Sequence, residues 1–281
     1  MTSDEETALY SCRHLNETPG NRERCLRELK RWLNEEEAWI RARTDDRHLL
    51  PFLRTCKFNL DKTKLKIVNF YTMRRDRPEW FDNRDPTIPI IAELTKLGVF
   101  VPLKKTHENR MVVIIRTAAH DPKAHKFQDV LKTGKMILEV ACAENPNAHV
   151  YGVTAIFDMK GISFGHYRCL TPTVIRDMVR TWQNYHVSPK RLEFINAPSY
   201  MNVAISVFKG FMTEKMRRRV VVHYGTRSTL EDVVSKEVLP VEYGGTEDGL
   251  KELCDYWHDK MVQMRDWFAE DDLYKARSRE T

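Results

Sequence analysis

The 281-residue sequence lacks any long apolar run. The longest, residues 111–115, falls far short of the roughly 20 apolar residues that a bilayer-spanning helix needs. The first residues, MTSDEET, are acidic and polar, whereas a signal peptide begins with basic residues and continues with apolar ones. We therefore expect a cytoplasmic protein without a transmembrane helix.

Signatures of cofactor chemistry are also missing. The six cysteines form no C-x-x-C pair, which favours reduced thiols over disulfides or zinc ligands. The ten histidines form no H-E-x-x-H motif, and neither G-x-x-x-x-G-K-S/T nor G-x-G-x-x-G occurs. Lysine and arginine total 46 against 40 acidic residues, and the charges are interspersed. We expect no metal, no cofactor and no nucleic acid partner.

The apolar pattern divides the chain into a helical part and an α/β part. Residues 21–43 and 61–77 carry apolar side chains at near-helical spacing around a short apolar helix at 49–54. After these, strand patterns at 98–103, 111–115, 150–158, 192–196 and 220–223 alternate with helical patterns at 127–141, 173–185, 199–210 and 250–268. Strands separated by helices predict an α/β fold with a mainly parallel sheet flanked by helices. We expect a helical N-terminal domain (1–95), an α/β domain (96–250) and a C-terminal helix with a tail (251–281).

One motif suggests catalysis. The segment Gly161-Ile162-Ser163-Phe164-Gly165 matches the G-x-S-x-G pattern of a serine nucleophile and follows a predicted strand. In such enzymes the serine leads directly into a helix, but here the next helix start is Thr171-Pro172, so we expect Ser163 in a loop. Partners for a triad would come from His186, His223 and His258 with Asp232 or Asp255. A serine hydrolase that uses Ser163 is therefore the alternative hypothesis.

Two basic stretches lie near the predicted strands at 192–196 and 220–223. In the downstream stretch Lys215 and Arg219 stand four residues apart, on one face if the segment is helical. In the upstream stretch Lys190 and Arg191 precede a strand. Such charges form either a solvated surface or a site for phosphoryl oxygens.

An apolar segment separates the two basic stretches. Its stripe at helical spacing consists of Met201, Ala204, Ile205, Phe208 and Met212. Stripes of this kind usually face a core, but this one has a thin polar side and is bounded by Pro198 and Gly210. That pattern also suits a segment that moves as a unit.

Together these pieces resemble the CRAL-TRIO family of lipid-binding proteins, and within it the branch that carries retinoids and tocopherols. The segments that carry the resemblance lie in the family's order and spacing: LLPFLR (49–54), KFNLDK (57–62), VTAIFDMKG (153–161), LTP (170–172), FINAP (194–198), FMTEK (211–215) and LPVEYGG (239–245). Pro51 and Ala197 depart from the commoner family residues.

The resemblance implies a helical N-terminal domain packed on an α/β lipid-binding domain, with an apolar cavity closed by a mobile helix. Residues 198–211, here named the gate segment, would form that helix. Family position and alternation along strands and helices predict these cavity-wall residues: Val153, Phe157, Leu170, Val174, Met178, Trp182, Leu192, Phe194, Ile205 and Phe208.

The resemblance also implies a phosphatidylinositol bisphosphate site beside the gate segment. The matching basic residues are Lys190, Lys215, Arg217 and Arg219, whereas Ser188 replaces a further basic residue of the family. The motif around Ser163 falls in a family loop that is not a nucleophile site.

The favoured hypothesis is a non-enzymatic intracellular carrier for one hydrophobic small molecule, a retinoid, a tocopherol or a similar lipid. It would exchange this ligand at phosphoinositide-containing membranes, as a cytoplasmic monomer that binds the membrane peripherally and transiently. A pure membrane-recruitment module is a third hypothesis. Apolar walls accept all of these ligands alike, so the residues do not choose among them.

Overall fold

The structure is a computed structural model that describes residues 3–224, 230 and 233–278. The helices that precede the sheet are α1 (Ser3–Leu15), α2 (Pro19–Glu35), α3 (Asp46–Thr55), α4 (Leu60–Asp76), α5 (Pro78–Phe81) and α6 (Pro89–Leu97). The helical first third that the sequence predicts is confirmed.

Local side chains fix the starts of three of these helices. Thr18, Asp45 and Asn59 are the N-caps of α2, α3 and α4, and each side-chain oxygen accepts a hydrogen bond from the backbone N–H three residues on. The helix expected at 21–43 is too long, because α2 ends at Glu35 and Ile40 forms an antiparallel bridge with Ala276. A β-bridge requires extended backbone, so the helix cannot continue through that position.

Within the described residues the sheet has five strands in the spatial order β1-β2-β3-β4-β5. They are β1 (Phe100–Pro102), β2 (Met111–Arg116), β3 (Val153–Asp158), β4 (Pro189–Ala197) and β5 (Val220–Tyr224). β1 runs antiparallel to β2, and every other neighbouring pair is parallel. The predicted mainly parallel sheet is therefore confirmed.

Helices make the crossovers that parallel strands require. They are α7 (Phe127–Glu144) and α8 (Ala148–Tyr151) after β2, α9 (Phe164–Cys169) and α10 (Pro172–Asn184) after β3, and α11 (Asn202–Gly210) and α12 (Glu214–Arg217) after β4. The chain continues to α13 (Leu250–Gln263) and α14 (Arg265–Asp271). No helix in the described ranges is long and apolar enough to cross a membrane.

Two expected boundaries differ in the structure. The strand expected from residue 150 begins at Val153, because α8 occupies the preceding turn and Gly152 has a φ of 88°, a left-handed value that favours glycine. The single helix expected at 250–268 is interrupted at Met264, between α13 and α14.

Side chains alternate between the two faces of the sheet, as the pleat of a strand dictates. Ile114 and Ile156 face an apolar cluster that includes residues of α13. Ile115 and Phe157 face the other way and join the larger core shared with α7, α10 and α11. The hydrophobic core is therefore split by the sheet, and the helical layer lies over the larger part.

A buried polar cluster joins the N-terminal helices to the sheet domain. His186 Nε2 lies 2.9 Å from a carboxylate oxygen of Glu139 on α7. The ring centroids of His48 on α3 and His149 on α8 lie 6.3 Å and 5.3 Å from that of His186. Burial, and then His186, lower the pKa of His48 to about 4 and that of His149 to about 3. Both rings are therefore neutral in the folded protein at pH 7.

We expect the free energy of unfolding to decrease as the pH falls below 6.5, the ordinary pKa of these histidines. The unfolded chain then binds protons that folded His48 and His149 refuse, with a slope of about 1.4 kcal/mol per pH unit for each. Urea unfolding at pH values of about 7.5, 6 and 5 measures the slope. His48→Gln can keep a hydrogen bond to Tyr71 and removes one of the two titrating groups. It should therefore lower the slope by about 1.4 kcal/mol per pH unit, and an unchanged slope would contradict the assignment.

Candidate functional site

An apolar cavity lies between the sheet and helices α7, α10 and α11. Its volume is about 170 Å³. Most of the wall is hydrocarbon, and its polar members are Thr117, His120, Lys135, His166, Thr181 and Tyr185. A cavity of this composition binds ligands chiefly by removing apolar surface from water.

The cavity brings together most of the wall residues expected from the sequence: Phe157, Leu170, Met178, Trp182, Phe194, Ile205 and Phe208. The rings of Phe157 and Phe194 stack with centroids 4.5 Å apart, and Phe208 meets Phe194 edge-on at 6.0 Å. Trp182 on α10 packs against Phe157 at 6.3 Å. Aromatic contacts thus connect the sheet floor to the gate segment.

Three expected wall residues lie elsewhere. Val153 and Leu192 are fully buried in the core on the same sheet face, but nearer the amino ends of their strands, away from the cavity. Val174 is half-buried on α10, and the next residue, Ile175, lines the cavity instead. Alternation identified the sheet face correctly, but it does not give the depth of the cavity along each strand.

Helix α7 supplies a whole side of the wall that the sequence did not indicate as such. Among its lining residues are Phe127, Leu131 and Ile137. The available signal was Gly134 in the middle of an apolar helix. A Cβ at Gly134 would lie 2.4 Å from the ring of Phe100, so only glycine lets α7 approach β1 this closely.

The gate segment is apolar toward the cavity and of mixed polarity on its outward side. Met201, Ala204 and Ile205 are buried and line the cavity together with Phe208. The outward side carries Val203, which is 61% exposed, and the ring of Tyr200, which is 46% exposed. Exposed Asn202 and Ser206 share that side, so large apolar side chains stand among polar ones where a surface helix is usually polar throughout.

Two hydrogen bonds attach the ends of the gate segment to its surroundings. The Tyr200 hydroxyl donates to the Ile162 carbonyl oxygen over 2.6 Å. Just beyond the segment, the Thr213 backbone N–H donates to the Gln183 side-chain oxygen over 2.8 Å. Between these points, contacts with the cavity walls are apolar.

Basic side chains from distant parts of the chain converge near α12. This basic cluster consists of Lys57, Lys62, Lys66, Lys190, Lys215 and Arg219. Burial, and then Arg219 and Lys215, lower the pKa of Lys190 to about 8. The pKa of Lys215 is lowered by burial and by Arg219, Lys57 and Lys62. Within the described residues none of the six forms an ion pair, so the cluster carries uncompensated positive charge.

Arg217, expected in the same site, lies outside the basic cluster. Its Nη1 is 3.8 Å from a Glu214 carboxylate oxygen, and its Nη2 donates to the Met212 carbonyl oxygen. It is not among the charges that lower the pKa of Lys190 or Lys215. Arg217 is the last residue of the four-residue helix α12, and Arg219 lies beyond the end of that helix.

A helix follows Ser163 directly, contrary to the expectation that the next helix begins at Thr171-Pro172. Ser163 is the N-cap of α9, and its backbone N–H donates to His166 Nδ1 over 3.1 Å. The Ser163 Oγ lies 2.8 Å from the same nitrogen. This is a capping box in which histidine replaces the usual Glu or Gln, and it accounts for the start of the helix.

The capping box does not extend to a catalytic triad. His166 Nε2 faces the His120 carbonyl oxygen at 2.9 Å rather than a carboxylate. The other nominated residues pair elsewhere: His186 with Glu139, His223 with Glu193, His258 with Asp259 and Asp255 with Lys251. Asp232 lies outside the described residues. The backbone of Ser163 is extended, without the strain of a nucleophile elbow.

Two models of known protein families match the chain. The CRAL/TRIO domain matches residues 95–245, more than half of the chain, and the Pinta-like UBA domain matches residues 18–91. The chain belongs to the CRAL-TRIO lipid-binding family. The family indicated by the order of the sequence motifs is therefore confirmed.

Individual proteins of known identity resemble this CRAL-TRIO chain at low sequence identity. Clavesin-2 of Rattus norvegicus is 27% identical over 235 residues, which cover 82% of this chain and 71% of clavesin-2. Clavesin-1 of Xenopus laevis is 26% identical over 236 residues, covering 83% and 70%. The crystal structure of Sfh5 aligns with a TM-score of 0.49 and 14% identity over 91% of this chain and 99% of that one.

We expect Phe208→Ala to weaken binding of the fluorescent hydrocarbon diphenylhexatriene more than it destabilises the fold. The truncation enlarges an existing hollow, so it adds little new cavity cost but removes contacts with the ligand. Phe70→Ala is the matched control, since Phe70 is buried and does not line the cavity. It should cost about 3–5 kcal/mol of stability and leave probe affinity nearly unchanged. Thermal melts and fluorescence titration decide, and equal stability losses would make Phe208 an ordinary core residue.

Proposed function

We propose that this CRAL-TRIO protein is a non-enzymatic carrier that holds one hydrophobic small molecule, such as a retinoid or a tocopherol, and exchanges it at phosphoinositide-bearing membranes. The observation that carries the proposal is the hydrocarbon cavity with the gate segment as one wall. Each buried methylene contributes about 0.8 kcal/mol, so a ligand of roughly twenty carbons offsets the cost of association. We expect a monomer that visits the membrane transiently.

The two-sided gate segment supports exchange at a lipid surface. Its inner side chains contact the cavity, while Val203, Tyr200 and Phe211 expose apolar surface outward. Phe164 on α9, 67% exposed, adds to this outward surface. In a membrane interface the outward side chains leave water, so displacement of the segment there exposes less apolar surface to water than it does in solution.

The basic cluster supports recognition of an anionic headgroup at the same surface. Its charges repel one another. Burial is the largest cause of the lowered pKa of Lys190, and repulsion by Arg219 and Lys215 is the next. A phosphorylated headgroup relieves that repulsion and accepts charge-assisted hydrogen bonds. Lys215 lies on α12, which begins a few residues after the gate segment. A headgroup bound at Lys215 would therefore lie close to the C-terminal end of that segment.

We expect replacement of Lys215 and Arg219 by glutamine to weaken binding to vesicles that contain phosphatidylinositol bisphosphate by roughly thirty-fold, from about 1 kcal/mol for each charge. Diphenylhexatriene affinity in buffer should stay unchanged, because neither residue lines the cavity. The transfer rate of the probe to those vesicles should fall with vesicle binding.

Arg217→Gln with Arg218→Gln is the matched control for that double variant. It removes two positive charges from the same segment, but both arginines contact Glu214 and lie outside the basic cluster. Vesicle sedimentation and transfer should therefore remain near wild type. Equal losses in both double variants, or equal transfer to vesicles without the phosphoinositide, would reduce the cluster to nonspecific surface charge.

We expect Tyr200→Phe to accelerate loading and release of diphenylhexatriene together. The variant loses only the hydrogen bond to Ile162, worth about 0.5–1.5 kcal/mol, which raises the open population roughly two- to ten-fold. The equilibrium Kd should hardly move, because both rates scale with that population. Tyr167→Phe on α9 is the control, since that hydroxyl makes no hydrogen bond within the described residues. Stopped-flow fluorescence measures both rates. Unchanged rates for Tyr200→Phe would show that the hydrogen bond to Ile162 does not hold the gate segment closed.

A further inference from the structure

One end of the cavity holds a buried histidine without a partner. His120 is 5% exposed and lines the cavity in the loop that joins β2 to α7. Neither of its ring nitrogens has a hydrogen-bond partner within the described residues. The Thr117 backbone is close enough to favour the protonated ring slightly, yet it makes no hydrogen bond of normal geometry with it. A buried polar group left without a partner lowers stability, so an orphaned ring in a ligand cavity points to the ligand as its partner.

The polar neighbours of His120 already have partners. The ring of His166 is perpendicular to it at 4.8 Å, but the nitrogens of His166 face Ser163 and the His120 backbone carbonyl. His125, 6.3 Å away, accepts a hydrogen bond from the Asp121 N–H and contacts Glu93. The Thr117 hydroxyl donates to the Asp158 carbonyl oxygen. Among these four residues, the free hydrogen-bonding capacity therefore belongs to the His120 ring.

The electrostatic surroundings decide which polar groups suit this position. Burial, and then His166 and His125, lower the pKa of His120 to about 4, so the ring is neutral at pH 7. A neutral imidazole offers one N–H donor and one acceptor nitrogen, but no charge. An ionised carboxylate placed there would be buried without a counter-charge, whereas an alcohol or carbonyl oxygen needs only a hydrogen bond. Both ring nitrogens are covered in this structure, so a hydrogen bond to a ligand requires the ring to turn about χ2, which is a soft torsion in histidine.

Lys135 also lines the cavity wall. Burial lowers the pKa of its amino group to about 7, and that group is engaged elsewhere. Its Nζ donates to the Leu131 carbonyl oxygen over 3.3 Å and lies 4.6 Å and 5.2 Å from the ring centroids of Trp80 and Phe81. Neither aromatic residue lines the cavity. Only the lysine stem therefore faces the ligand space.

We propose that His120 binds the polar end of the cavity ligand, and that this ligand is an apolar lipid with one uncharged hydroxyl or carbonyl group. The assignment rests on the proposed function, because it requires the ligand to occupy this cavity. It narrows the ligand class to neutral lipids and gives the ligand a fixed orientation, with its oxygen against the loop that contains His120.

Three fluorescent probes of one shape test the assignment: diphenylhexatriene, its hydroxymethyl derivative and its carboxyl derivative. We expect His120→Phe to weaken binding of the hydroxymethyl probe about three- to ten-fold, which corresponds to the loss of one net hydrogen bond. The affinity for the parent hydrocarbon should stay within about two-fold of wild type. The wild type should bind the hydroxymethyl probe more tightly than the carboxyl probe. His120→Asn, which retains a donor and an acceptor, should keep most of the hydroxymethyl affinity.

Controls separate this inference from a general packing effect. Met178→Leu changes an apolar wall residue and should shift both neutral probes equally. The ligand-free His120→Phe variant should melt at or above the wild-type temperature, because it loses an unsatisfied buried polar group.

Three outcomes overturn the assignment. Equal losses of both neutral probes in His120→Phe would make the ring an ordinary part of the wall. Tightest binding of the carboxyl probe, lost in Lys135→Met, would show a charged headgroup. Failure of every probe to bind the wild type would overturn the carrier function itself, and the assignment with it.

Discussion

The buried ion pairs of the Asp271 carboxylate hold together the helices that surround the cavity, which we call the frame. The carboxylate lies 2.7 Å from Arg74, 2.6 Å from Arg84 and 2.9 Å from Arg43, and it is almost fully buried with two of them. Burial opposes its ionisation, but Arg74 and Arg84 hold the pKa of Asp271 well below its usual range. The three arginines come from the N-terminal helical region and the aspartate from the end of α14. Losing one partner of a buried pair costs about 3–5 kcal/mol, because it strands the other charge.

This arrangement compensates for the hollow at the centre. A cavity removes the contacts that would normally hold helices to a sheet, so the surrounding elements need other attachments. Buried ion pairs and the cluster around Glu139 and His186 supply directional ones, away from the ligand space. Within the described residues, the side-chain hydrogen bonds that attach the gate segment and its C-terminal end are those of Tyr200 and Thr213, and the contacts with the cavity walls are apolar. The cavity side is thus held by fewer directional contacts than the surrounding helices, which suits the proposed carrier function.

Period and spacing in the sequence were sufficient to predict the layered α/β fold, and family position was needed as well to predict the side of the sheet that faces the cavity. Phe157 and Phe194 were identifiable because alternate residues of a strand share a face. The wall formed by α7 was not, because a helix that is apolar on several sides looks the same whether it contacts protein or a hollow. Helix α9 was missed because its capping partner is His166, which sequence patterns of capping do not include.

The composition of the basic cluster shows a different limit. Lys57, Lys62 and Lys66 precede Lys190 by more than a hundred residues, and only the packing of two regions brings them together. Spacing within a single stretch instead grouped Arg217 with its neighbours, although it points elsewhere. The position of His120 in the cavity wall likewise depends on a loop whose path has no periodicity.

The gate segment is also the crossover between two paired parallel strands. β4 and β5 are hydrogen-bonded neighbours, with a register shift between Phe194 and Ala197 where the chain leaves the sheet. In the proposed carrier, both ends of the gate segment would therefore stay attached to strands of the sheet while it moves. The length of chain between β4 and β5 would then limit how wide the cavity can open, and with it the bulk of the cargo.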